Sequence, residues 1–96
     1  MHVLVCYDVN TQTAKGRRRL RKAAQACQDY GQRVQLSVFE CSVNEVQLEL
    51  LRARLLDVID QAEDSLRIYR LPGTRESIVE AYGSDKYEDL EGPLVL

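Results

Sequence analysis

The segment Gln32-Arg33-Val34-Gln35-Leu36-Ser37-Val38-Phe39-Glu40-Cys41-Ser42-Val43 decides the fold. It is rich in Val, Phe, Leu and Ser, and its apolar residues do not recur at helical spacing. It therefore predicts two short strands joined by a tight connection at Leu36 and Ser37. Working outward, residues 14–30 place Leu20, Ala23, Ala24, Cys27 and Tyr30 on one helical face, with Gly31 as the expected helix stop. Residues 2–8, HVLVCYD, form a near-continuous β-favouring run, the pattern of a central strand buried on both faces. On the other side, Asn44 with Gln47 reads as an N-cap and capping box. It opens a helix to about Ala62 whose stripe is Leu48, Leu51, Leu55, Val58, Ile59 and Ala62. Residues 64–71, DSLRIYRL, alternate as a fourth strand and Pro72-Gly73 ends it. SIVEAY, 77–82, is a candidate fifth short strand before an acidic tail.

The order is β-α-β-β-α-β plus that extra short strand, an α+β, ferredoxin-like sandwich over residues 1–72 with a C-terminal strand and tail over 73–96. Right-handed crossovers put both helices on one face of a four-stranded antiparallel sheet. The other face carries apolar and aromatic residues with no internal cover. In a chain of 96 residues the economical cover is a second copy, so a twofold homodimer is expected, the C-terminal strand adding to the partner's sheet edge.

Composition narrows the function. The chain is 45% hydrophobic and 29% charged, ordinary soluble usage, and no apolar run nears the roughly 20 residues that span a bilayer. The start lacks a basic n-region, so a cytoplasmic protein is expected, without a signal peptide. Cys6, Cys27 and Cys41 are an odd number without CxxC spacing, which speaks against a disulfide framework or zinc knuckle. There is no P-loop, GxGxxG or HExxH, no RNP1-like aromatic pattern, and His2 is the only histidine. The net charge of −2 conceals an asymmetry: residues 1–33 hold seven Lys/Arg against Asp8 and Asp29, while residues 34–96 hold six against thirteen acidic side chains. A local basic patch, rather than the total, governs nucleic-acid binding.

Two constellations carry chemistry. Asp8 stands at the C-terminal end of the first strand. A carboxylate there is either an ordinary turn residue or an oxygen ligand for Mg²⁺ or Mn²⁺, and a twofold axis beside it would supply two. Lys15, Arg17, Arg18, Arg19, Arg21 and Lys22 crowd six cations into eight residues at the start of the first helix. That run is either a solvated face or a phosphate-binding one, where arginine forks add to helix N-terminal amides. Phe39, the only Phe, is either core or a site residue; Arg33 and Glu40 lie beside it in the same pair of strands.

The segments LVCYDV (4–9), GRRRLRKAAQACQDYGQRVQLSVFEC (16–41) and DSLRIYRL (64–71) resemble the small CRISPR-associated nuclease family of the spacer-acquisition machinery. The likeness runs from residue 2 to about 72, with no departure from the family's pattern. The resemblance implies a ferredoxin-like homodimer with Asp8 as ligand to one divalent ion, Mg²⁺ or Mn²⁺, shared by both protomers. It further implies Tyr7, Arg17, Arg19, Arg33 and Phe39 as the remaining functional positions. The activity it implies is metal-dependent endonucleolytic cleavage of single-stranded RNA or duplex DNA. The alternative it implies is a non-catalytic scaffold that bridges copies of the larger CRISPR integrase and binds duplex DNA.

Overall fold

The computed structural model describes residues 1–88. Its elements are β1 (His2–Asp8), α1 (Ala14–Gln28), β2 (Gly31–Gln35), β3 (Val38–Ser42), α2 (Glu45–Val58), β4 (Ser65–Leu71) and a single helical turn, α3 (Arg75–Ile78). The strands form one antiparallel sheet in the order β2-β3-β1-β4. The fold is the α+β, ferredoxin-like sandwich expected.

Register separates the two faces. Val5 lies opposite Phe39 and Ile68, and Val3 opposite Cys41, so these side chains share the face covered by the helices. There Val3, Val5, Phe39 and Cys41 join Ala23, Ala26 and Cys27 of α1 and Leu48, Leu51 and Leu55 of α2 in one buried core. The intervening residues point to the opposite face. Leu4, Cys6, Val38 and Leu71 are half-buried there and Tyr69 is 43% exposed. An apolar row in that state is what an antiparallel sheet shows when one of its faces has incomplete cover.

The local signals explain where the elements begin. Asn44 accepts from the Gln47 amide at 2.8 Å and Gln47 returns the contact at 2.9 Å, closing the capping box. Thr13 caps α1 by accepting from the Gly16 amide at 3.0 Å. Three expectations need correction. Gly31 does not stop α1, which ends at Gln28 with Asp29 in right-handed helical geometry. Gly31 instead opens β2, where a Cβ would collide with the Glu40 carbonyl and the Cys41 backbone. α2 stops at Val58, before Ala62. Asp60 draws the chain into a turn, its side chain accepting from the Ala62 amide and its carbonyl from the Asp64 amide. Finally, no fifth strand forms over 77–82 within the chain: Ser77 and Ile78 belong to α3, and the hydroxyl and amide of Ser77 both donate to the Thr74 carbonyl. Residues 79–82 pair with no strand among the described residues, and a strand without a ladder partner is no strand. The acidic tail beyond residue 88 lies outside the described residues.

Candidate metal and nucleic-acid site

Asp8 ends β1 opposite Ser65, on the open face of the sheet, and is exposed. Its carboxylate makes no hydrogen bond or ion pair among the described residues. A hard divalent cation takes one or two carboxylates and completes its shell with water and phosphate oxygen, so an uncommitted carboxylate of this kind fits Mg²⁺ or Mn²⁺. The described residues of one chain place only one there. No group of three or more His, Cys, Asp or Glu side chains that could hold a metal occurs among the described residues. A second copy of Asp8 would supply another carboxylate.

The other site residues divide between two layers. Tyr7 points away from Asp8 into the helix-covered layer, where its ring stacks on Phe39 with centroids 6.2 Å apart. Phe39 is 0% exposed, so it presents no surface to a substrate and belongs to the core. Arg33 lies over the Phe39 ring at 5.2 Å. The Tyr7 hydroxyl is buried without a hydrogen-bond partner among the described residues. Burial pushes its pKa up and the nearby Arg33 guanidinium draws it partly back. Tyr7, Arg33 and Phe39 are thus one cluster, and the sheet stands between it and the Asp8 carboxylate.

The basic run divides as well. Lys15, Arg18, Arg21 and Lys22 are exposed and make no ion pair among the described residues. Arg17 is exposed too and reaches the Thr11 carbonyl at 3.2 Å. Arg19 turns inward: its Nε donates to Asp64 Oδ2 at 2.8 Å and its Nη2 to Oδ1 at 3.3 Å. Its cation is matched inside the chain, and the exposed positive charge of α1 is carried by the other five.

Sequence reasoning missed three residues that share Asp8's face. Ser65 stands directly across from it, and Arg67, opposite Cys6, is its diagonal neighbour, donating to the Tyr69 hydroxyl at 3.0 Å. The alternation of β4 is visible in the sequence; the pairing that puts Arg67 beside Asp8 depends on register. Cys27 and Cys41 lie in the core, away from the Asp8 face. Burial raises the Cys27 thiol to about 12 and the Cys41 thiol to about 11, which keeps both protonated.

A cleft of about 510 Å³ lies at the His2 end of β1, remote from Asp8. Glu40 in its wall meets His2 Nε2 at 2.8 Å and takes Arg75 Nε at 2.7 Å, and Arg75 lies over the Tyr87 ring at 3.4 Å. Burial works against the Glu40 carboxylate, but the hydrogen bonds from Arg75 and His2 outweigh it and hold its pKa below the usual range. The Gln32 side chain adds two bonds to the Glu88 backbone, at 2.6 and 2.8 Å. This cleft is an anchor for the segment after β4. The Asp8 surface is open, which suits a polymer better than a small molecule.

The family model described as CRISPR associated protein Cas2 matches residues 1–77. The chain belongs to the Cas2 family. It is 55% identical over 96 residues, all of both chains, to a protein of Moorella thermoacetica named CRISPR-associated endoribonuclease Cas2 1. It is 53% identical over 95 residues, 99% of each chain, to one of Halalkalibacterium halodurans named CRISPR-associated endonuclease Cas2. Among solved structures, Streptococcus pyogenes Cas2 at pH 6.5 superposes with a TM-score of 0.78 at 52% identity, over 86% of this chain and 100% of that one. Cas2 membership agrees with the resemblance carried by the sequence, and the Cas2 fold agrees with the sheet order found. No described helix is long and apolar enough to cross a membrane.

Proposed function

We propose that the protein is a metal-dependent endonuclease of CRISPR adaptation, in which two chains bring their Asp8 carboxylates to one Mg²⁺ or Mn²⁺ ion at a twofold axis. The observation that carries this reading is the exposed Asp8, uncommitted among the described residues, on a sheet face that those residues leave partly uncovered. Relatives more than half identical over nearly their whole length are named endoribonuclease or endonuclease, which supports hydrolysis of a phosphodiester. A bound divalent ion supplies Lewis-acid polarisation of the phosphoryl oxygen and a more acidic water. The chain's own side chains do the rest. Asp8 offers the anchoring oxygens. Arg17, Arg18 and Arg21, with Lys15 and Lys22, neutralise backbone phosphates along the exposed face of α1. Arg67, the diagonal neighbour of Asp8, would add a further cation for phosphate on that face. Tyr7, Phe39 and Arg33 hold β1 against β3 and so fix the strand that carries Asp8.

A second reading is favoured by one specific observation. The only histidine, His2, is engaged by Glu40 at the opposite end of β1, about 20 Å away at the usual rise per residue, so it cannot serve as general base at Asp8. In that reading the dimer is a scaffold that binds duplex DNA and bridges integrase subunits, and catalysis resides in the integrase. Cleavage of labelled single-stranded RNA and duplex DNA, with and without Mg²⁺, separates the two. The nuclease reading expects cleavage by the wild type and none by Asp8→Ala, with binding and dimer mass unchanged. Equal cleavage by both preparations, or none by either with binding intact, overturns it, and the latter result leaves the scaffold.

A further inference from the structure

Asp64 is an unusual carboxylate. It sits in the turn between α2 and β4, its side chain is 0% exposed, and it gathers three separate parts of the chain. Oδ1 accepts from the Asn10 amide at 3.0 Å and from Arg19 Nη2 at 3.3 Å. Oδ2 accepts from Arg19 Nε at 2.8 Å and from the Asp60 amide at 2.9 Å. The loop after β1, the first turns of α1 and the turn before β4 therefore meet on one side chain. Asn10 is held from other directions as well. Its Nδ2 donates to Glu63 at 2.9 Å, its Oδ1 accepts from the Gln12 amide at 3.0 Å, and its carbonyl packs so closely on Gly16 that any Cβ there would overlap it. Asn10 is two residues from Asp8, and Gly16 adjoins the first arginine of the basic run.

We infer that Asp64 and Arg19 together are positioning residues: they fix the loop that sets both the Asp8 carboxylate and the start of the phosphate-binding helix, and Arg19 does not itself contact phosphate. Two of its guanidinium nitrogens are already engaged by a buried carboxylate, and drawing it out to a ligand would strand that carboxylate without its cation. The pairing also explains an arginine, rather than a lysine, at this position: the fork meets both oxygens of Asp64 at once. The inference rests on the nuclease reading only for its activity readout.

The test compares Asp64→Ala, Arg19→Ala, the double variant and Arg18→Ala as full chains, using amide hydrogen exchange, duplex-DNA binding across a salt series and Mg²⁺-dependent cleavage. Asp64→Ala and Arg19→Ala are expected to speed exchange at residues 10–16 by at least about tenfold and to leave the salt slope of binding unchanged. Arg18→Ala should flatten that slope by about 0.9. Cleavage should fall about tenfold or more in each positioning variant, with a higher half-saturating Mg²⁺ concentration, which a mere loss of folded protein would not change. The double variant should be no worse than the poorer single one. If Arg19→Ala flattens the slope while Asp64→Ala does not, Arg19 is a phosphate ligand and the inference fails; unchanged exchange at 10–16 also overturns it. Should Asp64→Ala fail to fold, Asp64→Asn and Arg19→Lys, which keep shape or charge while breaking the fork, are read by the same exchange and slope criteria. Absence of cleavage in the wild type would end the nuclease reading and leave those two criteria to decide this one.

Discussion

Asp8, Phe39 and Arg19 show how differently a residue can meet its expectation. The family resemblance implies a functional role for all three, yet one is free at the surface, one is sealed in the core and one is paired internally. Truncating Phe39 to Ala removes a fully buried ring from beneath Tyr7 and Arg33 and should cost about 3–5 kcal/mol of folding stability, read from urea denaturation. Unchanged stability together with abolished cleavage would argue for a direct role instead. Asp64 predicts a pH effect. The Arg19 guanidinium, aided by two backbone amides, holds its carboxyl at about 2. A carboxyl whose pKa falls on folding stabilises the native state above its ordinary value near 4, and that contribution disappears as the pH drops toward 2. The urea midpoint of the wild type should therefore decline between about pH 4 and 2, and that of Asp64→Asn should decline less, Glu40, whose carboxyl is also lowered, contributing to what remains. An equally steep decline in the variant would show that Asp64 is not the group responsible.

At the level of elements, the apolar residues place β1, β3, β4 and α1, while α2, apolar on several sides, has its start written in the capping box of Asn44 and Gln47. Replacing Asn44 by Ala should cost about 1 kcal/mol and nothing in nucleic-acid affinity, by calorimetry and binding in parallel. The sequence is less legible where an element's limit depends on a distant partner. Gly31 looks like a helix stop, but its lack of a side chain answers to β3 packed against it. Asp60 falls within the helix predicted to about Ala62 and Asp64 opens the predicted fourth strand; that Asp64 also closes the loop after Asp8 depends on chain 54 residues away in sequence. The basic run shows the same limit. Its charge density is plain, but which arginine turns inward is decided by a carboxylate on another element. The remaining five cations predict a steep salt dependence of duplex binding, and Arg17→Ala and Arg18→Ala should each flatten it by about 0.9. A slope near zero in the wild type would remove phosphate clamping by α1.

For the whole molecule, two layers of helix and sheet explain half of the surface, and the open face of the sheet poses the remaining question. Leu4, Cys6, Val38, Leu71 and Tyr69 form an apolar row on the same face as Asp8, and the described segment after β4 meets the sheet at Glu40 and Gln32 and lines a cleft with Val34 and Gln35. Covering the rest with a second copy would bury that row and bring two Asp8 carboxylates near a common axis in one step. Stability and metal binding then share an interface, so Leu4→Glu should halve the mass seen by light scattering and abolish metal-dependent cleavage together; a monomer that still cleaves would separate them. The measurement that bears most directly on this account is titration of the protein with Mn²⁺ by calorimetry, for the wild type and Asp8→Ala. The shared site predicts one ion per two chains in the wild type and no specific binding in the variant. One ion per chain, or binding that survives Asp8→Ala, would contradict it.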